Sequence, residues 1–170
     1  MGGNLVLDLA GSLPDRIQKV VIVEALACMR DIMMPGVPAE APAYESPYNK
    51  QMLAMDAAAQ SAYLDQMMQG MVSKAEDQAQ VKTWMAKADR QTFVYGYVDL
   101  LKLDHRPLLP AIKAPVLLMV AGQPYGQVAL ENMQKQYEKL ANKKFPLPPI
   151  ASIISCSMSP NGLLKNFFLS

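Results

Sequence analysis

Histidine and cysteine are scarce in this sequence: one histidine, His105, and two cysteines, Cys28 and Cys156, in 170 residues. The cysteines stand far apart and in no metal-ligand spacing, which excludes a disulfide framework and a zinc site. An excess of charge of one sign is also missing. With 16 Lys+Arg against 15 Asp+Glu the formal net charge is +1, so the basic face that a dedicated nucleic-acid binder needs is not supplied. The chain is too apolar for a disordered tail: 51% hydrophobic against 18% charged is enough to offset chain entropy. Its length is that of about one domain.

Met1-Gly2-Gly3-Asn4 has no basic region ahead of its apolar stretch, unlike a signal peptide, and lacks the Ser/Thr of a myristoylation signal. The longest charge-free stretch, 145–164, contains Pro146, Pro148, Pro149 and Pro160, each of which would break a spanning helix. The expectation is a soluble chain with no membrane span, cytoplasmic if Met1 is the natural start.

What is present alternates helical and strand patterns. Leu5, Val6, Leu9 and Ala10 give helical spacing over 4–12, ended by Gly11 and Leu13-Pro14. Lys19-Val20-Val21-Ile22-Val23-Glu24-Ala25 follows, a β-branched run without alternation, as in a parallel strand covered on both faces. Residues 34–47 hold four prolines and read as an irregular connector. Three helices are then predicted, over 49–71, 74–88 and 92–103. The first spaces Met52, Met55, Ala59, Tyr63, Met67 and Met71 by three or four. Methionines at that spacing serve either as core packing or as a pliable apolar roof over a pocket. A second buried strand lies over 115–122, and a helix over 127–142 carries Leu130, Met133, Tyr137 and Leu140 on one face. Beyond Lys144 the period is lost, and Phe145-Pro146-Leu147-Pro148-Pro149 cannot form a central strand. No internal repeat occurs. Helix, buried strand, helical insertion, strand and helix define an α/β protein with parallel core strands.

Three stretches carry a resemblance. Met1 to Ala10 resembles the continuation of a G-H-S-M-G-G nucleophile elbow into its helix. Pro14 to Ala25 resembles the helix-to-strand stretch after such an elbow, and Leu103 to Pro115 the approach to the next core strand. Over roughly residues 1–144 the chain resembles an α/β-hydrolase of the serine type, starting in its middle. The resemblance implies a partial α/β-hydrolase fold: helix and core strand over 1–30, a helical lid over 31–103, core strand and helix over 104–144, and an irregular tail over 145–170. It also implies ester or related acyl hydrolysis by serine attack on a small acyl substrate, with no cofactor, metal or nucleic acid.

In that family a serine on a sharp strand-to-helix turn attacks the acyl carbon, and the backbone N–H of the next residue stabilises the oxyanion. The resemblance puts Met1 at that oxyanion-hole position and the serine one place before it. The nucleophile is therefore absent from the chain. A base histidine would fall within 145–159, where none stands. His105, beside Asp104 and Arg106, reads as a solvated or structural residue, Asp104–Arg106 as a structural ion pair, and Asp8 as surface. The usual acid position, near Gln123-Pro124-Tyr125-Gly126, holds no carboxylate. Glu24, at the end of the strand after the elbow, is either the acid in an alternative position or a strand-end residue facing solvent. The chain as given is expected to be inactive. Its alternatives are a non-catalytic binding module built on the Met-rich helices, and self-association through an exposed sheet edge.

Codon degeneracy allows a frame shifted by two bases across Ser152–Gly162 to encode H-Y-F-M-F-D-E-P-E-W, which resembles the family's histidine loop. The expectation is a frame slip near Lys143-Lys144, where lysine codons form an adenine run. Sequencing the gene tests it: the shifted frame should encode a histidine near codons 152–153, and its absence there would end the idea.

Overall fold

A computed structural model describes residues 1–72, 74–120 and 126–145, without the side chain of Glu76. The expected tail over 146–170, with Cys156, and the Gln123–Tyr125 stretch lie outside the described residues.

Helix α1 (Gly2–Ser12) leads to strand β1 (Val20–Val23). Five helices follow before the next strand: α2 (Met29–Met33), α3 (Pro47–Ala54), α4 (Ala57–Met71), α5 (Ala75–Lys87) and α6 (Arg90–Lys102). A 3-10 helix over Arg106–Ala111 then delivers the chain to β2 (Val116–Met119), α7 (Gly126–Gln136) and a short β3 (Lys143–Lys144). The three strands form one parallel sheet in the order β1-β2-β3, with Val20 opposite Val116 and Val116 opposite Lys143. This is the α/β architecture with parallel core strands that the sequence pattern predicts. All four residues of β2 are buried, as expected of a central strand with both faces covered. Strand β1, expected to be covered on both faces, instead buries Val20 and Ile22 on one face and leaves Val23 exposed on the other. The core joins Leu7 of α1, Ile22 of β1, Leu118 of β2 and Tyr137 and Leu140 behind α7. Among the described residues no helix is long and apolar enough to cross a membrane.

Several expectations are corrected. The helix expected over 49–71 is two helices, α3 and α4. Ser46 caps α3 by accepting from the Asn49 N–H at 3.2 Å, and Asp56 opens α4 by accepting from Ala59 N–H at 2.8 Å. This break resets the helical phase, so the buried positions of α4 are Leu64 and Met68, whereas Ala59 and Met71 are exposed. The helix expected to reach Asn142 ends at Gln136, because the chain must turn back to pair beside β2, where Val116 N–H donates to Asn142 O at 2.8 Å. Of its predicted apolar face, Leu130 and Met133 are buried on the helix, and Tyr137 and Leu140 are buried in the turn beyond its end. In α1 the buried side chains are Asn4, Leu7 and Ala10, and Leu5 and Leu9 face outward.

The seat of α1 on the sheet depends on one glycine. A Cβ on Gly3 would lie 2.3 Å from the Ala25 Cβ and 3.3 Å from Ile22 Cγ2. Only hydrogen fits between the first turn of α1 and the end of β1. At Gly2 a Cβ would meet nothing within 4 Å. Gly3→Ala should therefore cost about 1–3 kcal/mol by overpacking, and Gly2→Ala should be neutral or stabilising by up to about 1 kcal/mol. Urea unfolding of the two variants measures both; equal stability would refute the close contact.

Candidate functional site

In an open parallel sheet ligands bind outside the carboxyl ends of the strands, and here those ends meet the amino end of α1. Gly3 holds the first turn of α1 against Ala25, just past β1. The Glu24 N–H donates to Met119 O at the end of β2, at 3.0 Å. The α1 N-terminus, with unpaired N–H groups and the positive pole of the helix dipole, thus lies where both strands finish, an arrangement suited to negative charge.

Met1 stands as the N-cap residue of α1, its carbonyl accepting from the Asn4 N–H at 2.9 Å and the Leu5 N–H at 3.2 Å. Its side chain is exposed and reaches α6, where Cε would lie 3.1 Å from a Cβ placed on Gly96. Glu24 is half-buried and has φ of 49°. It is the one non-glycine residue with positive φ among those described. Such a conformation costs about 1–3 kcal/mol and clusters at functional sites and sharp turns. Among the described residues no three His, Cys, Asp or Glu side chains form a metal-binding group.

His105 is not solvated; it is buried at 2% exposure. Its backbone N–H donates to Ala27 O at 2.8 Å. Its ring sits between two α1 side chains one turn apart, with Nε2 at 3.0 Å from Asp8 Oδ1 and Nδ1 at 3.4 Å from Asn4 Nδ2. Asn4 Nδ2 also donates to Leu26 O at 3.0 Å. The amide can offer only hydrogens, so Nδ1 accepts and the ring proton sits on Nε2, donated to Asp8. Asp8 is thus not simply a surface residue: half-exposed, it holds the ring of His105. These contacts make His105 a structural staple between α1, the loop after β1 and the start of the 3-10 helix.

The expected Asp104–Arg106 ion pair is present, with Arg106 Nη2 donating at 2.7 Å and Nε at 2.9 Å. The Arg106 guanidinium holds the Asp104 carboxyl below its ordinary range. Arg106 also meets Asp31 at 3.1 Å.

Sequence reasoning passed over Asn4, Gln136 and Arg90. Gln136 accepts from the Cys28 N–H at 2.9 Å and donates to Cys28 O at 2.7 Å, acting as a strand partner for that loop. A polar residue at the foot of an otherwise apolar helix face was the available signal for Asn4. Arg90 heads α6 and reaches across to α3 and α4: Nη1 donates to Leu53 O at 3.1 Å and to Met55 O, and Nη2 to Gln60 Oε1 at 2.6 Å.

The parallel sheet with a helix seated on its strand ends and a helical segment between β1 and β2 is a partial α/β-hydrolase fold. Among solved structures the chain is similar to the enol-lactonase from Burkholderia xenovorans LB400, with a TM-score of 0.68 and 16% sequence identity. The match covers 99% of this chain and 61% of the enol-lactonase, so the chain spans about 61% of that protein's length. No family model and no curated protein sequence matches it.

If His105 is a staple, its loss should be felt in stability. His105→Ala leaves Asn4 and Asp8 without their shared partner and opens a buried cavity, an expected cost of about 2–4 kcal/mol. Asp8→Asn, at a half-exposed position, should cost under about 1 kcal/mol. The urea midpoints of the two variants decide, and near-equal values would overturn the role given to His105.

Proposed function

We propose that this chain carries the helix, lid and later-strand portion of a serine-type α/β-hydrolase whose intact form hydrolyses an ester or a related acyl bond. The observation that carries the reading is the Gly3 contact with Ala25, which seats an amino helix end over two strand ends. In an acyl hydrolase that spot binds the oxyanion, beside a serine on the turn into the helix. In this reading Met1 occupies the oxyanion-hole position, Glu24 is the candidate acid, and helices α2 to α6 form the lid.

The same reading makes the chain as given inactive. It holds no serine at the elbow, and its one histidine is enclosed by Asn4 and Asp8 and out of reach of a substrate. Losing the nucleophile and the base together removes most of the rate enhancement of such an enzyme. A colorimetric short-chain ester assay is the test. Turnover should equal the buffer rate and be indifferent to a serine-directed phosphonate. Turnover abolished by the phosphonate would refute the inactivity and the assignment of His105.

A further inference from the structure

Helices α3 to α6 enclose a half-open cavity of about 140 Å³. Its wall is nearly all apolar, with Met52, Leu64, Met85 and Phe93 prominent, and three residues with polar groups, Gln60, Tyr63 and Arg90, line it. The volume is close to that of an engineered apolar cavity of about 150 Å³ that binds benzene in another protein. Methionine walls adjust their shape at little cost. By size and lining, one six-membered ring fits.

The charge of Arg90 says what such a ring should carry. A guanidinium has five N–H donors. Two on Nη1 go to Leu53 O and Met55 O, and one on Nη2 goes to Gln60 Oε1. The Nε hydrogen and the second Nη2 hydrogen remain, and among the described residues neither has an acceptor. No carboxylate among the described residues pairs with Arg90. Nε and Nη2 are neighbours on one edge of the guanidinium, the fork that takes a carboxylate through two parallel hydrogen bonds. The carbonyls at the end of α3 absorb part of the positive charge, but they are neutral acceptors, and the cation keeps its place on an apolar wall.

We propose that this cavity is a binding site for a compact carboxylate bearing one apolar ring. The ring lies among Met52, Leu64, Met85 and Phe93, and the carboxylate sits on the open edge of Arg90. The proposal rests on reading these helices as a binding module, and hydrolysis is no part of it, so the ester assay leaves it untouched.

Calorimetric titration of the full chain with benzoate, benzyl alcohol and acetate tests it. Benzoate should bind saturably at one site in the millimolar range or tighter. Benzyl alcohol, with the ring but no charge, should bind about tenfold or more weakly, and acetate, with the charge but no ring, should give no saturable heat. Methyl resonances of Met52, Met55 and Met85 should shift with benzoate, and those of Met119 and Met133 in the sheet core should not. Ala88→Phe, which adds a ring to the lining, should abolish binding of benzoate and benzyl alcohol alike; Arg90→Lys, which keeps charge but loses the fork, should weaken benzoate while sparing benzyl alcohol. Equal affinity for benzoate and benzyl alcohol would overturn the role of Arg90. The absence of saturable benzoate binding, or shifts confined to the sheet methionines, would overturn the site. The ligand series on the unaltered chain decides even if Arg90→Lys fails to fold.

Discussion

Among the described glycines the tightest constraint is the contact between Gly3 and Ala25. It sets how far the first turn of α1 can descend onto the sheet, and nothing larger than hydrogen fits there. Because α1 descends at that point, Asn4 and Asp8 come level with the loop after β1, and His105 can be held between them. Without that approach the α1 amino end would not meet the carboxyl ends of β1 and β2, and the candidate site would have no geometry. A backbone contact thus comes before every side-chain contact of the site.

Around the loop after β1 the polar groups that leave the sheet are satisfied by distant side chains. Tyr137 donates its hydroxyl to Ala25 O at 2.7 Å, Gln136 pairs both backbone groups of Cys28, and Arg30 donates to Leu101 O at 2.7 Å. Burial pushes the Tyr137 phenol well above its ordinary range, so it acts as a donor at every physiological pH. Among the described residues no buried side-chain nitrogen or oxygen lacks a partner. Since an orphaned buried group costs about 1–3 kcal/mol, these bonds fix the loop in place mainly by making every alternative position expensive. The path from β1 into the helical segment is consequently determined by α7 and α6, which come later in the chain.

That dependence on later elements explains what could be read from the sequence. The strand over 116–119 was legible because four successive buried positions need apolar, β-rich residues wherever the strand lies. The strand over 20–23 was legible because its run of β-branched residues favours extended chain, even though only Val20 and Ile22 are buried. The burial of Leu130 and Met133 on α7 was legible because a helical period is local, whereas the end of that helix before Tyr137 was not. The break at Met55–Asp56 was written in the cap residue Asp56, and the methionine spacing that ran across it hid the signal. The partners of His105 were not legible, since Asn4 stands 101 residues away and only the fold brings it near. The positive φ of Glu24 left no mark either, because nothing but glycine advertises that conformation.

Helix α1 is the place where local pattern and final packing disagree, and the reason is physical. Its two polar residues one turn apart, Asn4 and Asp8, are turned inward to hold a buried ring, so the apolar residues Leu5, Leu9 and Leu13 must face outward. An amphipathic surface helix does the reverse. Strand β1, against which α1 packs, pairs among the described residues on one side only, with β2. The polar staple at His105 is what makes that arrangement hold: it draws Asn4 and Asp8 away from the outer face and leaves Ser12 as the polar side chain of α1 that does not serve it.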